Sequence, residues 1–152
     1  MTGRLHDLLI SEVATIDLFI ALLEDEAKAM SDGNFAELPK LAARKSALAD
    51  QIAVLGQQRK AEQLALGYPA GRLGADTASA AGGKELQQAW QALLSRAEVA
   101  KERNHRNGVI VRTQLEFMRQ TIRFLQADEQ PLYGSDGSAR TGAGSGKSLA
   151  SG

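Results

Sequence analysis

The sequence predicts an all-α protein, and three observations support this class. Strong helix formers dominate the 152 residues, whereas aromatic residues make up only 5%. Apolar residues recur at steps of three and four along three long segments, which is the spacing of one helix face. Glycine and proline are concentrated between these segments and near the C-terminus. We therefore expect an elongated antiparallel three-helix bundle over residues 1–130, resembling a coiled coil, and a flexible tail over residues 131–152.

The first helix is predicted over residues 2–30. Gly33 can adopt the left-handed conformation that ends a helix, and Asn34 is a suitable N-cap for the next one. Because this connection is short, the first two helices should be antiparallel neighbours that form a hairpin. The apolar stripe of the first helix is close to the heptad period and contains Leu5, Leu9, Val13, Ile16, Ile20, Leu23, Ala27 and Met30.

The second helix is predicted over residues 35–66. Pro39 is comfortable only in a first turn, so regular helix should begin near Leu38, with Phe35 in a short preceding turn. Lys45 and Arg59 lie on the same face as the leucines, which predicts a thin apolar seam. The following residues, 67–83, contain five glycines and a proline and are predicted to be a mobile loop.

The third helix is predicted over residues 84–127. Its first half has an apolar stripe that includes Leu86, Trp90 and Leu93. Its middle is polar, and the segment from Asn104 to Gly108 is open to two interpretations. It is either a hinge, because glycine weakens a helix, or a polar layer that fixes the register of the helices.

The second half of this helix carries two apolar stripes, which is the strongest physical signal in the chain. One stripe is enough to pack on the hairpin, so the second should be exposed and mark an interaction site. Burial of the second stripe in a wider bundle or in a homodimer is the alternative. The inner stripe consists of Val111, Leu115, Met118, Ile122 and Leu125, and the outer stripe of Ile110, Phe117 and Phe124.

Composition excludes several classes of function. Lys plus Arg and Asp plus Glu each number 18, so the basic excess of a nucleic-acid-binding protein is missing. The absence of cysteine excludes disulfides and thiolate metal sites. No apolar run approaches the length of a membrane span, and the N-terminus lacks the layout of a secretion signal. We expect a cytoplasmic protein that does not insert into membranes.

Two motifs resemble chemical sites but lack the necessary context. Residues 141–148 are similar to a phosphate-binding loop, yet no strand precedes them and only four residues follow. Glu102 and His105 have the spacing of a di-iron bundle ligand pair, but the rest of the ligand set is missing. With two histidines and no cysteine, no catalytic triad is plausible. We therefore predict no enzyme activity, no metal and no cofactor.

Two sequence elements together resemble the FlgN-type flagellar export chaperones. The first is Asn104-x-x-Asn107-Gly108, and the second, about twenty residues of helix later, is Leu132-Tyr133-Gly134-x-Asp136-Gly137. The hairpin also looks like this family, through Lys45-Ser46-x-Leu48 and Gln57-Gln58-Arg59. The resemblance covers most of residues 1–140.

The resemblance implies a cytoplasmic chaperone of flagellar type III secretion. Members bind the C-terminal segments of the hook-associated proteins of the hook–filament junction and deliver them to the export gate. In the family the C-terminal helical region binds the client, and the tyrosine of the Leu-Tyr-Gly motif docks on the cytoplasmic domain of the gate. The implied gate-docking residues are Leu132, Tyr133 and Gly134. The implied client-binding residues are Ile110, Val111, Gln114, Phe117, Met118, Thr121 and Phe124.

A structural coiled-coil protein that oligomerises through the C-terminal helix is the alternative function. The two functions differ in oligomeric state: an uncovered outer stripe on a monomer, or at most a weak dimer, favours the chaperone, and a tight dimer favours the alternative.

Overall fold

The computed structural model describes the backbone of residues 2–137 and the side chains of residues 2–127. The described part is all helical, as predicted. It contains α1 (Gly3–Ser31), a short 3-10 helix (Phe35–Glu37), α2 (Leu38–Ala65), α3 (Arg72–Ala81) and α4 (Lys84–Gly137). The chain divides into two compact units, Met1–Gly108 and Val109–Gly152.

The predicted hairpin of α1 and α2 is confirmed by its cross-helix contacts. Glu26, late in α1, pairs with Lys45, early in α2, at 3.3 Å. Glu12, early in α1, pairs with Arg59, late in α2, at 2.6 Å. A residue late in α1 thus contacts one early in α2, and a residue early in α1 contacts one late in α2. The two helices are therefore antiparallel.

The turn between α1 and α2 has the predicted left-handed glycine and the predicted N-cap residue. Gly33 has a φ of 73°, and its N–H and that of Asn34 donate to carbonyls near the end of α1. Asn34 occupies the N-cap position of the 3-10 helix, as predicted, although its side chain makes no capping hydrogen bond. Regular helix begins at Leu38 with Pro39 in its first turn, and Phe35 lies in the preceding 3-10 turn, as expected.

The prediction that residues 67–83 form a loop is wrong, because they contain α3. Alanine-rich sequence has high helix propensity, and the small side chains of α3 allow close packing against its neighbours. Ala75 and Ala78 are buried in the main core, and the buried Ser79 hydroxyl donates to the Asp76 carbonyl oxygen at 3.0 Å. The first unit therefore contains α3 where we predicted a long loop between the second and third helices.

The core of the first unit lies between α1, α3 and the first half of α4. Its buried side chains are Leu5, Leu9, Ile16, Ala75, Ala78, Leu86, Ala89, Trp90 and Leu93. A smaller cluster, formed by Leu22, Ala29 and Leu41, lies near the turn of the hairpin. Within α2 only Leu41 and Gln63 are buried, in agreement with the predicted thin seam.

Helix α4 extends beyond the predicted end at residue 127 and reaches Gly137. It includes Pro131, whose fixed φ is compatible with helical backbone although its ring removes one hydrogen bond. The Leu132–Gly134 motif is therefore on helical backbone, whereas we predicted a flexible tail from residue 131. Residues 138–152, with the phosphate-loop-like segment 141–148, lie outside the described residues.

Candidate functional site

Residues 109–127 of α4 carry a large uncovered apolar surface. Phe117 and Phe124, both in the outer stripe, are 68% and 71% exposed. They are seven residues apart, which is two helical turns, so they lie on one face. We call the following set the C-terminal apolar surface: Ile110, Val111, Leu115, Phe117, Met118, Ile122, Phe124 and Leu125.

The inner stripe of this surface is exposed as well, contrary to the expectation that it packs on the hairpin. Leu115, Met118, Ile122 and Leu125 are 46% to 55% exposed. Periodicity shows which positions share a face, but it does not show whether that face has a partner. Among the side chains of α4 that the structure describes, those up to residue 127, the buried apolar ones lie in its first half, at Leu86, Ala89, Trp90 and Leu93.

The remaining predicted client-binding residues lie at the start and in the middle of the surface. Ile110, Val111 and Gln114 are half-buried. Thr121 is exposed, and its hydroxyl donates to the backbone carbonyl oxygen of Phe117 at 2.9 Å. Because this hydroxyl is satisfied within the helix, a partner can cover Thr121 without breaking a hydrogen bond to water. The helix thus places all seven residues within about four turns.

The polar face of the same segment is mainly positive. It carries Arg112, Arg119 and Arg123 and one carboxylate, Glu116. Arg119 lies 3.9 Å from Glu116, a long and exposed pairing that contributes little stability. Among the side chains that the structure describes, Arg112 and Arg123 form no ion pair. The surface therefore combines exposed apolar area with a positive edge.

The gate-docking residues Leu132, Tyr133 and Gly134 are described in their backbone only. They belong to the last turns of α4. Their role remains a prediction.

The polar middle of α4 fits the polar-layer interpretation. The Asn107 side chain is 1% exposed, and its Nδ2 donates to the Leu23 carbonyl oxygen and to Glu26 Oε1, both at 2.9 Å. Lys45 reaches the same Glu26 carboxylate from α2. The helix is continuous through Gly108. Asn107 therefore connects α4 to α1 and, through Glu26, to α2.

The metal-like pair Glu102 and His105 lies on the solvent-exposed side of α4. Within residues 2–127, no three His, Cys, Asp or Glu side chains come close enough together to hold a metal ion. No helix in the described part is both long and apolar enough to cross a membrane.

A buried polar network at the other end of the first unit was missed at the sequence level. Glu12 is 3% exposed and receives a hydrogen bond from Arg59 Nε at 2.6 Å. Arg59 also donates to Gln63 at 3.0 Å, and its guanidinium lies 5.3 Å from the centroid of the Trp90 ring. The only sequence signals were a glutamate beside an apolar stripe and an arginine within one.

The network also connects the α3 segment to the hairpin. Gln63 Nε2 donates to the Pro69 carbonyl oxygen at 2.9 Å, and Trp90 Nε1 donates to Asp76 Oδ1 at 2.6 Å. Burial raises the pKa of the Glu12 carboxyl, and the hydrogen bond and charge of Arg59 oppose this rise. The network is structural, because it is enclosed by α1, α2 and α4 and lies outside the C-terminal apolar surface.

The chain is similar to one protein family and to two named relatives. A family model described as FlgN protein matches residues 1–141. The protein named Flagella synthesis protein FlgN from Salmonella typhimurium (strain LT2) is 24% identical over 149 residues, covering 96% of this chain and 97% of that protein. The protein of the same name from Salmonella typhi has the same identity and coverage. No solved structure matches the chain.

Proposed function

The chain belongs to the FlgN family, and on that premise we propose that it is a cytoplasmic export chaperone for hook-associated flagellar proteins. The flagellar role is supported by the names of its relatives, which are flagella synthesis proteins aligned over nearly their whole length. The chaperone binds the C-terminal helices of its clients and delivers them to the export gate. It acts by binding, without catalysis.

One observation carries this proposal: the C-terminal apolar surface is helical, contiguous and uncovered. Contiguous exposed apolar area marks interaction sites in soluble proteins. An amphipathic client helix laid along this surface would cover Phe117, Phe124 and their neighbours, in the helix-in-groove mode of recognition. Burial of each large apolar side chain is worth about 1.5–3 kcal/mol, so a few anchors suffice for micromolar affinity after the costs of association.

The client-binding test replaces both exposed phenylalanines. The Phe117→Asp/Phe124→Asp protein should lose calorimetric binding to the C-terminal segment of a hook-associated junction protein. Its far-UV dichroism should stay helical, because both side chains are exposed in the free protein. Leu64→Asp is the control, since Leu64 is a large apolar residue on α2 that is 60% exposed, slightly less than either phenylalanine. Unchanged client affinity in the double variant would contradict the site.

Gate docking is the second half of the proposal. It is tested by comparing a tyrosine variant with the double phenylalanine variant. Tyr133→Ala should weaken binding to the purified cytoplasmic domain of the export gate and leave client affinity intact. The Phe117→Asp/Phe124→Asp protein should show the opposite pattern. Loss of both ligands in the tyrosine variant would indicate that Tyr133 is structural.

A further inference from the structure

The C-terminal apolar surface is wider than one helical partner needs. Successive residues of a helix are about 100° apart, so the apolar side chains of residues 110–125 span an arc of about 180°. An apolar stripe of about 100° is enough for a helix to pack against one neighbour. The surface therefore has room for two helices side by side.

The arc has two sides that differ in chemistry. Its aromatic side consists of Ile110, Phe117 and Phe124, and its aliphatic side of Val111, Leu115, Met118, Ile122 and Leu125. Gln114 and Thr121 lie between the two sides. Since the Thr121 hydroxyl is bonded to the Phe117 carbonyl oxygen, Thr121 does not interrupt the surface with an unsatisfied polar group.

The two sides also differ in the charges along their outer edges. Around the helix axis, the edge of the aliphatic side is lined by Arg112, Arg119 and Arg123. The edge of the aromatic side is lined by the uncharged residues Thr113 and Gln120. A helix packed on the aliphatic side is therefore favoured if it carries acidic residues opposite the arginines.

We propose that this surface binds two amphipathic helices of one client molecule, and that the helix on the aliphatic side is the more acidic. This inference rests on the proposed chaperone function and specifies the form of the client. A second copy of this chain is a poor occupant of the aliphatic side. Its equivalent segment would bring the same three arginines to that edge, where like charges repel.

Hydrogen exchange on the client tests the two-helix arrangement. The full chain is mixed at saturation with the C-terminal segment of a hook-associated junction protein. The client should show two separate protected stretches. Phe117→Ala/Phe124→Ala should remove protection from one stretch, and Leu115→Ala/Ile122→Ala from the other. All four side chains are exposed in the free protein, so both variants should remain folded.

Calorimetry at about 50 mM and about 300 mM salt tests the charge pattern. Arg112→Gln/Arg119→Gln should weaken client binding roughly fivefold at low salt and reduce its salt dependence. Gln120→Arg, which adds a positive charge at the aromatic edge, is the control and should leave affinity nearly unchanged.

The outcomes separate this inference from the function on which it rests. A single protected stretch that both alanine pairs release equally would overturn the two-helix arrangement and leave the chaperone function intact. Unchanged affinity and salt dependence in the arginine variant would overturn the claim that the helix on the aliphatic side is the more acidic one. If the wild-type chain does not protect the client at all, both the inference and the proposed function fail. Tight self-association through this surface that excludes the client would instead assign the surface to a second copy of the chain.

Discussion

At the scale of single residues, the Glu12–Arg59 pair shows how a charged group is accommodated in a helical core. A buried carboxylate is costly unless it is paired, and here Arg59 supplies a hydrogen bond and a charge at 2.6 Å. Arg59 is itself held by Gln63 and by the face of Trp90. The sequence placed Arg59 on the inner face of α2, but nothing in its spacing identified a partner 47 positions away.

Removal of Arg59 should strongly destabilise the first unit, because it leaves Glu12 buried without a partner. We expect Arg59→Ala to lower the free energy of unfolding by about 3 kcal/mol in urea denaturation. Arg96→Ala is the matched control. It removes an arginine from an exposed pair with Asp17 at 3.0 Å, and should cost less than about 1 kcal/mol.

The stability of the Arg59→Ala protein should depend on pH in a defined direction. A carboxyl whose pKa is raised by folding stabilises the protein while protonated, and this contribution is lost as pH rises from the ordinary value through the folded-state pKa. Arg59 opposes the rise caused by burial of Glu12, so its removal should raise that pKa further. Arg59→Ala should therefore regain part of its lost stability between about pH 7 and about pH 5. An identical loss at both pH values would show that removal of Arg59 does not change the protonation of Glu12 in the folded protein.

At the scale of elements, the sequence predicted the long helices well and α3 poorly. The 3.6-residue period is averaged over many turns in α1, α2 and α4, so a few irregular positions do not hide it. In α3 the ten residues from Arg72 to Ala81 give under three turns, and its buried positions are Gly, Ala and Ser. Small residues produce little hydrophobic contrast, so periodicity cannot separate a tightly packed short helix from a flexible loop.

Gly74 permits the close approach of α3 to Pro69 in the connection that precedes it. A Cβ at this position would overlap the carbonyl group of Pro69. We expect Gly74→Ala to destabilise the protein by about 1–3 kcal/mol, as overpacking does, measured as the shift in the urea midpoint. Gly3→Ala is the control, because a Cβ there meets no atom within 4 Å and alanine favours the helix. Equal effects of the two changes would argue against tight packing of α3.

At the candidate site, the sequence predicted the helix and its apolar stripes but not whether those stripes are covered. The sequence identified both apolar stripes of residues 109–125, and the structure confirms that the segment is helical. The inner stripe, which we expected to pack on the hairpin, is 46% to 55% exposed at Leu115, Met118, Ile122 and Leu125. Periodicity identifies an apolar face, but whether that face is covered depends on its partners, which the spacing of residues does not reveal.

At the scale of the whole molecule, oligomeric state decides between the chaperone and a structural coiled-coil protein. The arginine edge disfavours pairing of two copies through the aliphatic side, so we expect sedimentation equilibrium to show a monomer, or at most a weak dimer, across micromolar concentrations. Any weak dimer should disappear in Phe117→Asp/Phe124→Asp. A tight dimer that this variant dissociates would favour the structural protein.

The continuity of α4 has a consequence for the thermodynamics of client capture. In an isolated helix, forming the first turn is unfavourable, because several residues are fixed for a single hydrogen bond. Here that turn is already supplied by residues 84–108, which Trp90 in the core and Asn107 in the polar layer fix to α1 and α3. Under the proposed function, the client-binding segment therefore continues a helix whose first half is already packed. Most of the conformational entropy lost on binding therefore falls on the client and not on the chaperone.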